Sequence, residues 1–257
     1  MMMRAFALAI GLILPGLALT ARADVEIQTV TSPGGITAWL AEDHGIPFTA
    51  LEIRFRGGTS LDMPEKRGAT NLMAALIEEG AGDLDAQGFA AARDSLAADF
   101  RFRASVDSFG VSARFLTENR DQAVDLLRSA LIAPRFDADA VERVRGQVLA
   151  GLRQDEKDPS SIAGNLFDAR VFGDHPYASS GDGTIASVTA LGRDDLIAAW
   201  QGAMARDRIY VAASGDITAA ELGPLLDHLL GDLPATGAPQ PGEAAPVFKA
   251  HTARVPT

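Results

Sequence analysis

Residues 48–79 read FTALEIRFRGGTSLDMPEKRGATNLMAALIEE, and this stretch decides the fold. Its first eight residues place apolar side chains at every second position, the pattern of a half-buried β-strand. Gly57 and Gly58 then mark a turn. From residue 67 the apolar residues recur at the spacing of an amphipathic helix, which should end before Gly80. The stretch therefore predicts a strand, a glycine turn and a helix in direct succession.

Outward from this stretch, strand patterns come early in the chain and helical patterns dominate later. Residues 25–30 and 36–41 also alternate, and together with residues 48–55 they predict a small antiparallel set. Downstream, the periodicity predicts a hairpin over 101–115, a strand over 209–213, and helices over 86–98, 119–132, 137–156, 159–172, 193–205 and 218–230. Because the strands form meanders rather than a regular βαβ alternation, the sequence predicts the α+β class and not a doubly wound parallel sheet.

Three segments are expected along the 257 residues. Arg4, an apolar run and the small-x-small pattern ending at Ala23 predict a secretory signal peptide over 1–23, although an uncleaved N-terminal anchor is the alternative. The globular domain is expected over 24–233. Residues 234–257 are rich in Pro, Gly and Ala and read as a linker towards a missing second half. The protein is therefore expected to be periplasmic or secreted, with no membrane span after cleavage.

Charge and residue types exclude several functions. A net charge of −11 repels phosphate backbones, so no nucleic-acid partner is expected. The sequence has no cysteine, so neither disulfides nor thiolate metal ligands can form. The sequence also lacks a G-x-S-x-G nucleophile turn. The glycines near residues 57 and 181 are interpreted as turns and not as phosphate cradles.

The histidines give no local metal-binding pattern. No two of them lie three or four residues apart, as zinc motifs on one helical face require. The four are His44, His175, His228 and His251.

Several motifs in a fixed order nevertheless resemble one family. They are RFRGGTSLD over 54–62, KRGAT over 66–70, Asp158-Pro159, FGDHPY over 172–177 and Gly215-Asp216-Ile217. Together they resemble the N-terminal half of the M16 peptidases (insulinase, pitrilysin and mitochondrial processing peptidase) over about residues 25–233. The resemblance implies a LuxS/MPP-like metallohydrolase half, a mixed and largely antiparallel sheet packed against helices.

In active M16 members the helix after the glycine turn reads G-x-x-H-x-x-E-H, and the histidines and a distal glutamate bind zinc. On this chain we assign the histidine positions to Thr70 and Ala74, the glutamate position to Met73, and the distal ligand position to Gly151. None of these residues can bind zinc or activate water. The resemblance therefore implies no catalytic residue, no metal ligand and no cofactor in this chain. Close approach of a neighbouring helix is expected to explain a glycine at position 151.

The family's architecture implies a non-catalytic subunit. It would partner an M16 chain with an intact H-x-x-E-H, which alone would hold zinc, and help to enclose extended peptides. The acidity of the chain would favour basic peptides. Two alternatives stay open: a divergent zinc metalloendopeptidase that uses His44 or His175 with carboxylates, and a stand-alone peptide-binding module.

Overall fold

The computed structural model describes residues 26–250 and residue 252. The predicted signal peptide over 1–23 lies outside these residues. A six-stranded sheet has the order β1-β2-β8-β3-β7-β6, and β4 and β5 form a separate two-stranded ribbon. The strands are β1 Gln28–Thr31, β2 Thr37–Glu42, β3 Phe48–Arg56, β4 Gly80–Ala81, β5 Leu84–Asp85, β6 Asp99–Ala104, β7 Ser108–Leu116 and β8 Ile209–Gly215.

Eight α-helices accompany the sheet in the described part of the chain. They are α1 Ala69–Leu76, α2 Ala86–Ser95, α3 Arg120–Ile132, α4 Ala138–Asp155, α5 Pro159–Phe172, α6 Ile185–Ala190, α7 Arg193–Ala203 and α8 Ala219–Leu230. Seven of them correspond to predicted helices. The periodicity missed α6, because six residues are too few to show a helical repeat; a capping box of Thr184 and Ser187 starts this helix. None of the described helices is long and apolar enough to cross a bilayer.

The mixed, largely antiparallel sheet confirms the predicted α+β class. One pairing differs from the expectation, because β2 and β3 are not neighbours. β8 lies between them, parallel to β2 and antiparallel to β3. A pairing between segments about 170 residues apart leaves no local signal, since periodicity reports which face of a strand is buried and not which strand lies beside it.

The core lies between the helices and one face of the sheet. On β3 the inward side chains Leu51, Ile53 and Phe55 are fully buried, and Leu72 and Met73 of α1 belong to the same buried cluster. Burying each such side chain contributes about 1.5–3 kcal/mol. Side chains on the other face of β3, including Glu52 and Arg54, are exposed. In the described residues, then, the sheet is covered on one side only.

Residues 234–250 contain no helix or strand, yet they are held against the domain. The amide of Ala238 donates to the carbonyl of Gly202, the side chain of Gln240 to the carbonyl of Arg56, and the amide of Val247 to the carbonyl of Val171. This irregular segment therefore runs over the domain surface from α7 past the end of β3 to α5. Its role as a linker towards a second half stays a prediction.

Candidate functional site

Helix α1 is the element on which the sequence placed the vacated metal site. Gly68 precedes it with φ of 93°, a backbone conformation that glycine adopts without strain. The side chain of Asp62 accepts hydrogen bonds from the amides of Gly68 (2.9 Å) and Thr70 (3.1 Å) and from the Thr70 hydroxyl (2.5 Å). A buried carboxylate therefore satisfies the free amides at the helix start and complements the helix dipole.

Burial raises the pKa of Asp62, and the three hydrogen bonds and the nearby charge of Arg67 oppose that shift. Asp62 as a residue is only 8% exposed, and among the described residues its carboxylate has no ion pair within 4 Å. Its environment is thus that of a structural cap whose hydrogen-bonding capacity is used by the helix start.

Arg67 is the second buried charged residue at this helix start. Its guanidinium donates to the carbonyls of Thr59 (2.6 Å), Pro176 (2.6 Å) and Ser179 (2.9 Å), and its Nε to the Ser179 hydroxyl (2.8 Å). Burial lowers the pKa of Arg67, and Asp62 opposes the shift. The side chain joins the loop after β3 to the turn at residues 176–179.

Three glycines let these two loops touch through their backbones. A Cβ at Gly68 would lie 2.7 Å from the carbonyl oxygen of Asp182. A Cβ at Gly181 would meet the side chain of Thr59, and one at Gly183 would meet the carbonyl of Arg67. The glycines near residue 181 therefore serve a close loop contact, in agreement with their interpretation as turns.

The structure divides α1 into a buried face and an exposed face. Thr70, Met73 and Ala74 are 1%, 0% and 6% exposed. Asn71 is half-buried and Ala75 is exposed. Positions 71 and 75, which are four residues apart, therefore lie on the accessible face of the helix. Asn71 donates from Nδ2 to Asp182 (2.9 Å). The three α1 residues assigned to ligand positions from the sequence, Thr70, Met73 and Ala74, are therefore all buried.

Counting G-x-x-H-x-x-E-H from Gly68 places the histidines at Asn71 and Ala75 and the glutamate at Ala74, one residue later than the sequence-based assignment. This later register puts both histidine positions on the accessible face of α1, where two imidazoles could reach one ion. In either register the positions hold threonine, asparagine, methionine or alanine. These residues do not fit a zinc ion, which requires imidazole, thiolate or carboxylate ligands.

Helix α4 carries the fourth assigned position and packs against α1. Near one end of the pair, Arg143 forms an ion pair with Glu79. Near the other, Leu149 and Leu152 pack on Val188, whose side chain also lies close to Gly68. The two helices are therefore antiparallel. Residue 151 lies about two helical turns after Arg143, and residue 71 lies about two turns before Glu79. The two residues are therefore at the same height along the antiparallel pair.

Gly151 is exposed, and a Cβ built there would meet no atom within 4 Å. The expectation that a neighbouring helix explains this glycine is therefore wrong. Nothing in the described structure requires glycine at this position, and its backbone conformation is helical.

Replacing Gly151 by alanine should consequently stabilise the protein. Alanine is favoured over glycine inside a helix by about 1 kcal/mol, chiefly because glycine loses more backbone entropy on folding. Urea unfolding of Gly151→Ala checks this. Gly183→Ala is the matched control: φ of 83° and the carbonyl of Arg67 leave no room there, so it should destabilise. A loss of stability in Gly151→Ala would show that position 151 is constrained.

The histidines that the structure describes take part in ordinary surface contacts. His44 directs Nδ1 at Asp216 (2.7 Å) and Nε2 towards Glu42 (3.6 Å), so the two carboxylates flank opposite sides of the ring. His175 contacts the carbonyl of Gly242 through Nε2 (3.0 Å), and His228 pairs with Asp125. Within residues 26–250 and 252, no group of three or more histidine, aspartate or glutamate side chains could hold a metal. His251 lies outside the described residues.

The roles of Asp62 and Arg67 did not follow from the sequence, although both residues stand in the motifs that carry the family resemblance. From sequence, charged residues beside a glycine turn are normally interpreted as solvent-exposed. Asp62 stands six residues before the glycine that starts the helix, too far for the usual spacing of a capping residue, whereas Arg67 adjoins that glycine.

Comparisons with known proteins agree with this geometry. The sequence profile of the insulinase family (peptidase family M16) matches residues 38–184. A Helicobacter pylori protein, "Non-peptidase homolog YmxG", is 30% identical over 193 residues, which cover 75% of this chain and 45% of that protein. The "Uncharacterized zinc protease ML0855" of Mycobacterium leprae is 24% identical over 78% of this chain and 45% of its own length. The chain thus spans about half the length of these relatives.

Solved structures give the same picture. The crystal structure of a peptidase M16 inactive domain from Pseudomonas fluorescens superimposes with a TM-score of 0.80 and 26% identity, over 86% of this chain and 54% of that one. A protease from Helicobacter pylori superimposes with a TM-score of 0.73 at 15% identity, over 85% of this chain and 54% of that one, which concerns the fold alone.

Proposed function

The chain belongs to peptidase family M16, as a homologue of its non-peptidase and inactive members, and on this premise we propose that it is a non-catalytic subunit. It partners an M16 chain that retains H-x-x-E-H and helps to enclose the peptide that the partner cleaves. We assign the vacated ligand positions to Asn71, Ala74 and Ala75 on α1 and to Gly151 on α4.

The observation that carries this proposal is the residue content of the two facing helices. Hydrolysis in this family needs a metal to lower the pKa of water and a carboxylate to take its proton. The accessible face of α1 offers an amide that already donates to Asp182 and a methyl group, and position 151 offers no side chain. A chain with these residues can shape a chamber but supplies no hydrolytic group at this position.

The half-length match to the relatives and the exposed sheet both support an enclosing second half. The matched segment covers 45% of the length of each of these relatives, and a second half of the same kind would close a chamber. An edge strand, β6, lies directly beside α1. Extended peptides bind such edges through main-chain hydrogen bonds. The enclosed peptide would then pass the vacated site along β6.

We place this assembly in the periplasm or outside the cell, because the N-terminal segment has the composition of a secretory signal. Expression of the full chain with a reporter fused after residue 250 would test the location. Export of the reporter, with removal of the first 23 residues seen by mass spectrometry of the intact product, is the expected result.

Reconstitution with an M16 chain that carries the intact motif tests the function. The two chains should co-elute in size-exclusion chromatography and cleave a fluorogenic peptide faster than the partner does alone. This chain alone should give no turnover that a chelator inhibits. A partner with glutamine in place of its motif glutamate is the control, because it keeps the complex and removes the general base.

Two outcomes contradict the proposal. Chelator-sensitive cleavage by the purified chain would make it an enzyme, and failure to associate with any motif-bearing chain encoded beside it would remove its partner.

A further inference from the structure

The uncovered face of the sheet contains a groove of about 790 Å³ along β7. Its floor consists of the small outward residues Ser108, Gly110 and Ser112. Side chains of paired residues on adjacent strands point to the same face, so the register defines the walls. Arg56 pairs with Ser108 and Arg54 with Gly110 on the β3 side, and Arg103 pairs with Gly110 and Arg101 with Ser112 on the β6 side. Arg54, Arg101 and Arg103 line the groove, and Arg56 follows Arg54 on the same face of β3. We call these three floor residues and four arginines the arginine trough.

The arginines of this trough are available to a ligand. In the described part of the chain, neither a hydrogen bond nor an ion pair joins the side chains of Arg54, Arg56 and Arg103 to another residue. Arg101 pairs only with Asp99, through two exposed side chains. Two acidic residues also line the groove: Glu52 on β3, and Glu78, whose carboxylate is paired with Arg93.

This local charge is opposite to that of the whole protein. The chain carries 34 acidic residues and 23 basic ones. With acidic residues in excess, unpaired arginines are unexpected. Four arginines converging on a strip of small residues repel one another, which costs stability. Such a cost is typical of a surface built to receive negative charge.

We propose that the arginine trough binds an extended acidic peptide segment with carboxylates at alternate positions. Arginines two residues apart on one strand, such as Arg54 and Arg56, are separated by about 7 Å along the chain, which is also the repeat of alternate side chains in an extended ligand. Each guanidinium can hold a carboxylate through two parallel hydrogen bonds. Trp39 and Tyr210, each about half exposed, line the far side of the groove and offer apolar contact.

The length and the net charge select this ligand. From Ser108 to Ser112 the floor extends about 13 Å, enough for four or five extended residues. A long polyanion such as nucleic acid would extend beyond the trough into the field of a protein with net charge −11. A short acidic segment bound in the trough would lie close to the arginines. Its charges would interact mainly with them, because electrostatic interactions are screened beyond about 8 Å at physiological salt. The local surface therefore reverses the expectation of basic peptides that net charge alone gave.

This inference rests on the proposed function only in that the trough would hold part of an enclosed peptide; binding itself needs no partner chain. The probe is a synthetic peptide of alternating glutamate and threonine, titrated into the full chain with Trp39 fluorescence and calorimetry as readouts. We expect saturable binding that weakens as salt rises. A peptide with the same residues in two blocks, and one with lysine for glutamate, should bind on the order of tenfold more weakly.

The double variant Arg54→Gln and Arg103→Gln should weaken binding of the alternating peptide by on the order of tenfold, since two charge-assisted contacts are lost. Arg170→Gln, an exposed arginine on α5, is the matched control and should change it less than about twofold. All these positions are exposed, and equal urea midpoints would show that the variants stay folded.

Several results overturn the inference: no binding, equal binding of the lysine peptide or of heparin, or an unchanged affinity in the double variant. If the double variant loses association with the M16 partner while peptide binding stays, the trough is a subunit interface instead. If the acidic peptide does not bind but the chain still stimulates cleavage by its M16 partner, the inference about the trough is wrong and the proposed function is not contradicted.

Discussion

The combined variant Asn71→His, Ala74→Glu, Ala75→His and Gly151→Glu is expected to bind about one zinc ion per chain, since it restores two imidazoles and a carboxylate as ligands. Three of the four substituted positions have room for larger side chains, whereas Ala74 is 6% exposed. Asn71 and Ala75 lie on the accessible face of α1, and Gly151 on α4 has open space where a side chain would extend. Zinc content after incubation and gel filtration, with calorimetry for affinity, measures the gain.

The earlier register supplies the matched control for this variant. Thr70→His, Met73→Glu and Ala74→His with Gly151→Glu introduces the same chemical groups one position back. Met73 is fully buried and Thr70 donates to Asp62, so a carboxylate and an imidazole would enter the core without partners. Burying them costs several kcal/mol, and this variant should unfold at much lower urea than the first. If the early-register variant folds and binds zinc while the later-register variant does not, the later register is wrong.

Arg67→Met should lower the free energy of unfolding by about 3–5 kcal/mol, because each buried acceptor left without a donor costs about 1–3 kcal/mol. The substitution keeps much of the volume but leaves three carbonyl oxygens, on Thr59, Pro176 and Ser179, without their donor. It also removes the charge that favours ionised Asp62. Urea unfolding followed by circular dichroism gives the difference directly.

Two further variants separate the hydrogen bonds of Arg67 from its bulk. Arg67→Lys keeps the positive charge but lacks the planar guanidinium that reaches three carbonyls. Its free energy of unfolding should therefore lie between those of the native chain and Arg67→Met. Arg170→Met, an exposed position on α5, should change stability by less than about 0.5 kcal/mol. An effect below about 1 kcal/mol for Arg67→Met would mean that the loop contacts hold without this side chain.

The elements with strong periodicity were predictable from sequence. Strand β3 and helix α1 lie within the residues whose apolar spacing defined them, because one face of each is buried in the same core. The hairpin of β6 and β7 and helices α3, α4 and α8 followed for the same reason. Residue type was sufficient to see that no metal motif exists on α1.

The neighbourhood of each element was not predictable in the same way. The insertion of β8 between β2 and β3 depends on packing across the whole domain. The one-residue choice of register on α1 depends on which side chains face outward, and Met73 and Ala75 differ in burial although both are apolar. The arginine trough required the pairing of three strands, since Arg54, Arg103 and Gly110 are distant or unremarkable in the sequence and become neighbours only in the sheet.

Inductively coupled plasma mass spectrometry on the unaltered chain, after incubation with excess zinc and gel filtration, most directly tests whether this polypeptide lacks a metal centre. With no imidazole, thiolate or carboxylate at positions 71, 74, 75 and 151, the retained metal should be below about 0.1 zinc per chain. Retention of about one zinc per chain, resistant to a brief chelator wash, would contradict a non-catalytic subunit.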